Sequence, residues 1–259
     1  MSTLHHLPAP AAFRGKEQGS SGRFLQPVRL HRYADGFMER VADLVAVEEP
    51  LLLRVRGREN FTFVRTPGDD HNLVAGHLFA QGLIRTHADI GSLSFPVCGE
   101  SDMVEVELVP GKNVRYMGGG MKAGHTMSAE ALFKLKDRFE KRQALFHSTR
   151  ATHAAALFSR EGRMVAFGED VGRHNAFDKA LGQALSSGCM KDVAVGMLSS
   201  RLALELAEKA SMAGIGILCG FSVATSSALE FSQTRNITLV GRLRETSMNI
   251  YTNHWRITP

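Results

Sequence analysis

The chain has 259 residues, 44% of them hydrophobic and 22% charged, so it can fold into one large domain or two small ones around a sizeable core. Its net charge is +5, and Lys and Arg are scattered among Asp and Glu instead of forming a basic stripe. This distribution argues against a polymeric nucleic acid as the partner and favours small anionic ligands such as nucleotides and phosphates.

The first half of the chain predicts a tail followed by short strands. Residues 1–27 are rich in Pro, Gly, Ser and charge and show no periodicity, which predicts a disordered tail. Residues 28–125 predict a β-rich N-terminal domain. In it, LLLRVRG and FTFVR form a hairpin around Gly57–Asn60, and MVEVELV at 103–109 alternates apolar and acidic residues as a half-buried strand does.

One helix and one glycine-rich loop interrupt these strands. Pro67 breaks the preceding strand, Asp69 or Asp70 can cap the helix, and Gly82 ends it. The loop Gly118–Gly124 could cradle phosphate through its backbone N–H groups, but it lacks the Walker spacing and a strand-to-helix setting. A flexible hinge between two domains is the alternative interpretation of this loop.

Strands and helices alternate across the remaining range, 126–259. Ser128 can cap a helix that runs to about Phe146, and Gly188 and Gly214 stand where two later helices end. The strands THAAALF, RMVAFGED, DVAVGML, IGILCGF and ITLVGRL lie between helices, and MNIYTNHWRI can add a short strand at an edge. The pattern predicts an α/β domain in which helices cover the faces of a layered sheet.

The densest polar segment, Glu169–Lys179, lies between a predicted strand and a predicted helix, where α/β proteins often bind ligands. The helix N-terminus suits phosphate, Arg173 could add a bidentate contact, and His174 could donate a hydrogen bond or move a proton. The alternative is a capped helix start in which Asp178 and Lys179 are solvated.

Three further positions carry polar groups beside predicted strands. His153 is a candidate ligand or base, or a histidine satisfied by a neighbouring backbone group. Ser199–Arg201 suits an anion site or a plain helix cap equally. Arg242–Ser247 follows a strand with two arginines and two hydroxyls, which suits a phosphate or a guanine edge, or an exposed turn.

The cysteines indicate the compartment and one candidate thiol. Three cysteines at unrelated spacings predict a reducing compartment, and the N-terminus has no apolar core of a secretory signal, so we expect a cytoplasmic protein. No CxxC or HExxH motif predicts zinc. Cys219 lies in an apolar strand and is expected to be inert core, Cys189 has no predicted role, and Cys98 is the best candidate for a reactive thiol.

Six segments in the same order resemble the FdhD family of formate dehydrogenase accessory proteins. EEPLLLRVRG and TPGDDHNLVAGHLFAQGLI resemble its N-terminal signature, and FHSTRATHAA, EDVGRHNAFDK, SSRLALE and SVATSSALE resemble its C-terminal ones. The resemblance runs from about Glu48 to Ile257, and the EDVGRHNAFDK segment is highly specific.

The resemblance implies a fold, a cargo and partners. It implies a β-rich N-terminal part joined to a cytidine-deaminase-like α/β/α domain, usually as a homodimer. It also implies a sulfur carrier that takes persulfide sulfur from a cysteine desulfurase and passes it to the bis-guanine-dinucleotide molybdenum cofactor of formate dehydrogenase. The family's guanine-dinucleotide contacts fall here on the segment Arg242, Leu243, Arg244, Glu245, Thr246 and Ser247. We expect Arg173 and His174 to line the same or a facing pocket, and Lys122 to add charge.

One departure from the family pattern affects the predicted chemistry. The family carries a Cys-Gly-x-Cys loop whose thiolate holds the terminal sulfur, and the corresponding range Gly118–Lys122 contains no cysteine. Met121 is a thioether and cannot form a persulfide. Three hypotheses therefore stay open: a sulfurtransferase that uses Cys98, a chaperone that binds the cofactor without chemistry, and a regulatory paralogue. A deaminase is disfavoured, because His153 is followed by two alanines and no PCxxC motif exists.

Overall fold

The computed structural model describes residues 24–95, 102–110 and 125–259, which form a mixed α/β protein with several sheets. The first element is a long antiparallel hairpin of β1 (Leu25–Ala34) and β2 (Phe37–Ala46). Asp35 and Gly36 join the strands with positive φ values of 51° and 87°, the backbone that tight hairpin turns need. The predicted tail is wrong for Leu25 to Pro27, which pair with β2.

A four-stranded sheet follows the hairpin. Its strands, in the spatial order β4-β3-β6-β5, are β3 (Glu49–Val55), β4 (Phe61–Arg65), β5 (Ile90–Ser94) and β6 (Asp102–Leu108). β3 and β4 form the predicted antiparallel hairpin, and β6 pairs parallel with β3. Alternate side chains of β3, β4 and β6 are buried, as the period-two pattern predicted.

Helix α1 (Asp70–Ala80) begins and ends close to the predicted residues. Asp69 holds the N-cap position with a left-handed φ of 57°, but its side chain makes no capping hydrogen bond. The Asp70 carboxylate does not cap either, because it accepts hydrogen bonds from Nε and Nη2 of the buried Arg65, both at 3.0 Å. Capping by either side chain is therefore wrong, whereas Gly82 ends the helix with a positive φ of 68°.

Helix α1 packs directly on α4 (Arg173–Ser186) through two glycines. A Cβ atom on Gly76 would lie 1.8 Å from the Asp178 carbonyl oxygen, and one on Gly182 would lie 1.9 Å from that of Asn72. One hydrophobic core accordingly runs from Leu53 and Leu73 to Phe177 and Leu218, across the predicted domain boundary near residue 125.

The other helices of the C-terminal half are α2 (Ala129–Arg142), α3 (Ala144–Thr149), α5 (Leu204–Met212) and α6 (Ser226–Thr234). Ser128 caps α2 as predicted, since its hydroxyl accepts from the Ala131 N–H at 3.1 Å. The single helix predicted to Phe146 is wrong, because the chain breaks at Gln143 and the Glu169 carboxylate accepts the N–H groups of Leu145 and Phe146. No helix in the described ranges is long and apolar enough to cross a membrane.

A six-stranded sheet forms the centre of this half, in the order β13-β12-β11-β10-β8-β9. Its strands are β8 (His153–Ser159), β9 (Met164–Asp170), β10 (Val193–Leu198), β11 (Ile217–Gly220), β12 (Thr238–Gly241) and β13 (Asn249–Ile250). β10, β11 and β12 run parallel, while β8 is antiparallel to both neighbours. The short edge strand β13 was predicted, and it pairs antiparallel with β12.

Helices cover both faces of the six-stranded sheet. Alternate residues of β8 divide between two cores, with Leu157 facing the core that includes α4, α5 and α1 and Phe158 facing the core that includes α2. A separate two-stranded sheet pairs β7 (Met127–Ser128) in parallel with β14 (Ile257–Thr258). The layered α/β arrangement predicted for this half is therefore present.

Candidate functional site

Five segments of the chain meet at one end of the strands of the six-stranded sheet. This row of strand ends forms the edge at which ligands could bind. The parallel strands β10, β11 and β12 all end there, and β8 starts there because it runs antiparallel to β10. β9 ends there because it is antiparallel to β8. The residues that follow or begin these strands therefore share the edge; they are His153, Arg173, Ser199, Ser222 and Arg242. Strand ends and helix starts at such an edge are the usual ligand sites of layered α/β proteins.

A polar cleft at this edge, the Arg242 cleft, has a volume of about 540 Å³. It is lined by Ser222, Val223, Arg242, Arg244, Ser247 and Asn249. The two arginines and Ser247 were predicted from the sequence as a phosphate or guanine site. Ser222, Val223 and Asn249 were not predicted. Ser222 lies two residues after the end of β11, the strand next to β12, so strand adjacency was the signal that could have found it.

A tight backbone crossing brings the two sides of the cleft together. The Arg242 N–H donates to the Ser222 carbonyl oxygen at 2.8 Å, and Arg242 takes a left-handed φ of 48° that turns the chain out of β12. A Cβ atom on Gly241 would lie 2.8 Å from the same carbonyl oxygen and 2.7 Å from the Tyr251 ring. Glycine at 241 therefore allows the loop after β11 to approach the end of β12.

The Arg244 side chain is partly anchored and partly open. Its Nη1 donates to the Phe221 carbonyl oxygen at 2.8 Å, and its backbone N–H donates to the Ser247 carbonyl oxygen at 2.8 Å. Within the described part of the chain, its Nε and Nη2 have no hydrogen-bond partner. An anchored guanidinium with open donors loses little freedom when it binds an oxyanion.

Three members of the predicted segment do not line the cleft. Leu243 is fully buried in the core. Glu245 accepts a hydrogen bond from Lys136 at 3.0 Å, and this bond lowers the pKa of the Glu245 carboxyl. Thr246 is exposed but does not line the cleft. The segment thus presents Arg242, Arg244 and Ser247 to the cleft, while Leu243 faces inward and fills the core.

A second cationic cluster, the Arg173 cluster, lies at the start of α4 beside β8. Arg173 Nε is buried and has no hydrogen-bond partner in residues 24–95, 102–110 and 125–259. His153 Nδ1 lies 3.2 Å from Ser199 Oγ, which also accepts from the Ala154 N–H. Burial and then the charge of Arg173 lower the pKa of His153, while burial, Lys209 and Arg173 lower that of His174. Neutral imidazoles, a hydroxyl and a guanidinium suit hydrogen bonding to an anionic ligand.

The two clusters share the edge but do not share a cleft. Arg242 follows β12 and Arg173 follows β9, and four strand spacings separate these strands in the sheet. At about 4.8 Å for each spacing, the two strand ends lie roughly 19 Å apart. Arg173 and His174 are not among the residues that line the Arg242 cleft, so their placement in the same or a facing pocket stays a prediction.

Most of the Glu169–Lys179 segment is structural. Asp170 is fully buried and accepts hydrogen bonds from the Gly172 N–H at 2.8 Å and from Asn175 Nδ2 at 3.0 Å. It also pairs with Lys179 at 2.7 Å, and Lys179 donates to the Thr66 carbonyl oxygen at 2.9 Å. These contacts tie α4 to the segment between β4 and α1.

The predicted alternative of solvated Asp178 and Lys179 is wrong. Their exposed fractions are 1% and 2%, and Asp178 accepts a hydrogen bond from Lys209 of α5 at 2.6 Å. Buried charges remain charged when they are paired and hydrogen-bonded. Asp178 and Lys179 are therefore used inside the fold, and Arg173 and His174 remain the candidates in this segment for contact with a ligand at the sheet edge.

Of the three cysteines and the glycine-rich loop considered in the sequence, the structure describes Cys189 and Cys219. Cys98, Lys122 and Gly118–Gly124 lie outside the described residues. Cys219 is fully buried, and burial raises the pKa of its thiol to about 12, which confirms the predicted inert role. In the described ranges, no three His, Cys, Asp or Glu side chains are grouped to hold a metal ion.

Comparisons with known proteins point to one family. The model of the FdhD/NarQ family matches residues 46–118 and 97–258. The sulfur carrier protein FdhD of Streptomyces avermitilis is 34% identical over 91% of this chain and 96% of its own length. The protein of the same name from Saccharolobus solfataricus is 34% identical over 88% of this chain and 96% of its own length.

A solved structure has the same fold. The crystal structure of a candidate formate dehydrogenase accessory protein from Desulfotalea psychrophila superimposes with a TM-score of 0.77 at 23% sequence identity. The match covers 91% of this chain and all of that one.

Proposed function

The chain belongs to the FdhD/NarQ family, and on that premise we propose that it is a formate dehydrogenase accessory protein that binds the bis-guanine-dinucleotide molybdenum cofactor as cargo. The observation that carries the proposal is the Arg242 cleft, which combines two arginines and two serines at the end of parallel strands. Its volume of about 540 Å³ suits one nucleotide half of such a cargo.

Each lining residue has a distinct role in this proposal. Arg242 and the open donors of Arg244 bind phosphate oxygens or the O6 and N7 acceptors of guanine, for which a planar guanidinium fork is suited. Ser222 and Ser247 add hydroxyl donors, and the Asn249 amide can both donate to and accept from the guanine edge. Arg173 and His174 contact a second part of the elongated cargo farther along the same edge.

Titration calorimetry of the full chain with GDP tests the cleft. We expect the double variant Arg242→Ala/Arg244→Ala to bind GDP about 100-fold more weakly, because two charge-assisted contacts are lost. The matched control is Arg54→Ala/Arg56→Ala, which removes two exposed arginines from the four-stranded sheet and should bind like the unmodified protein. Equal GDP affinity in both double variants would refute the cleft assignment.

Delivery of sulfur from a cysteine desulfurase is the second part of the proposal, and it depends on Cys98. The thiolate of Cys98 would attack the sulfane sulfur of the desulfurase persulfide, giving a Cys98 persulfide and a desulfurase thiolate. Cys219 is unsuited to this step because of its burial and its pKa of about 12. Mass spectrometry after incubation with desulfurase and cysteine should find added sulfur on Cys98 and none in Cys98→Ser.

A binding chaperone without chemistry is the alternative that the missing Cys-Gly-x-Cys loop favours. It predicts that the protein binds GDP and that no cysteine forms a persulfide. A regulatory paralogue predicts no GDP binding and no persulfide.

We further propose a cytidine-deaminase-like layering of the C-terminal half, a homodimer and a cytoplasmic location. Sedimentation of the purified full chain tests the dimer.

A further inference from the structure

Arg256 carries a positive charge that no carboxylate in the described ranges neutralises. It precedes β14, its exposed fraction is 0%, and its guanidinium lies 4.0 Å from the centre of the Trp255 ring. Its Nη1 donates to Asn236 Oδ1 at 3.1 Å and lies 3.5 Å from Thr238 Oγ1. Its Nε and Nη2 are buried and have no hydrogen-bond partner among the residues that the structure describes. A buried charge of this kind is costly unless it is paired.

The two unpaired nitrogens form the edge of the guanidinium that fits a carboxylate. Nε and Nη2 point their N–H groups in the same direction, so they can bind two oxygens of one planar acid. The same edge of the other fully buried arginine, Arg65, does this with Asp70, since its Nε and Nη2 donate to Oδ1 and Oδ2 at 3.0 Å each. Arg256 therefore has the donors that Arg65 uses and lacks the acid.

His125 lies beside Arg256 with a second unpaired nitrogen. β7 and β14 pair in parallel with Met127 opposite Ile257, which brings the residues just before each strand next to one another. His125 Nε2 is buried without a partner. Burial and the charges of Arg160 and Arg256 lower the pKa of His125 against the opposing effect of Glu161, so the imidazole is neutral at neutral pH. The site thus carries the single charge of Arg256, and a monoanion neutralises it.

We propose that Arg256 and His125 form a binding site for one small free carboxylate ion. The carboxylate oxygens accept from Nε and Nη2 of Arg256, and His125 Nε2 supplies a further hydrogen bond. Because Arg256 is fully buried, the occupant is inferred to be a small molecule of the size of formate or acetate. The site is separate from the Arg242 cleft. Arg256 lies beside Thr238, which begins β12, whereas Arg242 follows the other end of the same strand.

Thermal unfolding of the full chain tests this proposal. Its Tm is measured in sodium formate, sodium acetate or sodium phosphate and compared with the Tm in sodium chloride of equal ionic strength. At ten times its dissociation constant, formate or acetate should raise Tm by about 3 to 6 °C. Arg256→Lys keeps the charge but loses the parallel donors, so we expect at least tenfold weaker binding. Arg160→Gln, which removes a neighbouring exposed arginine, should retain the shift. No saturable carboxylate shift, or an equal shift with phosphate, would overturn the proposal.

A nuclear magnetic resonance measurement covers the case in which Arg256 variants do not fold. The His125 imidazole signal, identified by its loss in His125→Asn, should titrate with a higher pKa in acetate than in chloride, because a bound anion stabilises the imidazolium. GDP should leave this pKa unchanged. A His125 pKa that is equal in acetate and chloride contradicts the carboxylate site, while GDP binding at the Arg242 cleft can still be present.

Discussion

Gly241 sets the distance between the two sides of the Arg242 cleft. An added Cβ atom would lie 2.8 Å from the Ser222 carbonyl oxygen, which cannot move without shifting the loop after β11. We expect Gly241→Ala to bind GDP about tenfold more weakly and to lose about 1–3 kcal/mol of unfolding free energy. Calorimetry and urea unfolding measure the two effects.

Gly91→Ala is the control for this substitution. A Cβ atom there would lie 3.3 Å from its nearest neighbour, the Glu107 carbonyl oxygen, and far from the cleft. It should leave GDP affinity unchanged. Equal GDP affinity in Gly241→Ala would mean that the approach of Ser222 to Arg242 does not shape the binding site.

The half-buried histidines of the Arg173 cluster predict a dependence of stability on pH. Burial first, and then neighbouring positive charge, lower the pKa values of His153 and His174 in the folded protein. A histidine with a lowered folded pKa stabilises the protein above its unfolded pKa of about 6.5, and this contribution is lost as the pH falls below that value. We expect the unfolding free energy to fall between about pH 7 and pH 5.

The double variant His153→Asn/His174→Asn should show a shallower fall over the same pH range. Urea unfolding at several pH values measures it, and His254→Asn, which alters an exposed histidine, should follow the unmodified protein. Parallel curves for the double variant and the unmodified protein would contradict the assignment.

At the scale of elements, the buried pair Asp170–Lys179 joins α4 to the chain between β4 and α1. Removing one partner leaves an uncompensated buried charge, so Asp170→Ala should cost about 3–5 kcal/mol of unfolding free energy. Asp137→Ala breaks the exposed pair with Lys141, whose side chains are 60% and 74% exposed, and should cost less than about 1 kcal/mol. Urea unfolding compares the two, and similar losses would show that the buried pair is not a structural tie.

The elements were predictable from the sequence wherever a local rule decided them. Alternation identified the β3–β4 hairpin and β6, and Gly82, Gly188 and Gly214 mark helix ends because all three take positive φ. Long-range contacts decided the exceptions. The break at Gln143 depends on the Glu169 carboxylate, which belongs to another strand.

The candidate site was predictable to a similar degree. Arg242, Arg244 and Ser247 stand out after a strand, but Ser222 and Asn249 reach the cleft only through the sheet order. The polar density of Glu169–Lys179 suggested a ligand site, whereas Asp170, Asp178 and Lys179 are used for internal ties. A sequence lists polar groups and does not state which of them satisfy one another inside the fold.

For the whole molecule, the continuous core predicts one cooperative unfolding transition. Leu53 of β3 and Leu218 of β11 belong to the same core although they lie on opposite sides of the predicted domain boundary. Leu53→Ala and Leu218→Ala should each lower the single Tm by about 5 to 15 °C. Differential scanning calorimetry measures this, and two separate transitions that respond to one substitution each would contradict it.

The position of the Arg242 cleft along the chain has a consequence for synthesis. Its lining residues lie between Ser222 and Asn249, so the ribosome releases them after α1, α4 and strands β8 to β10. The core residues Ile237 and Leu239 lie in the same stretch, so the cleft and the last part of the core are completed together. On the proposed function, a nucleotide cargo would thus be received only by a polypeptide whose core is complete.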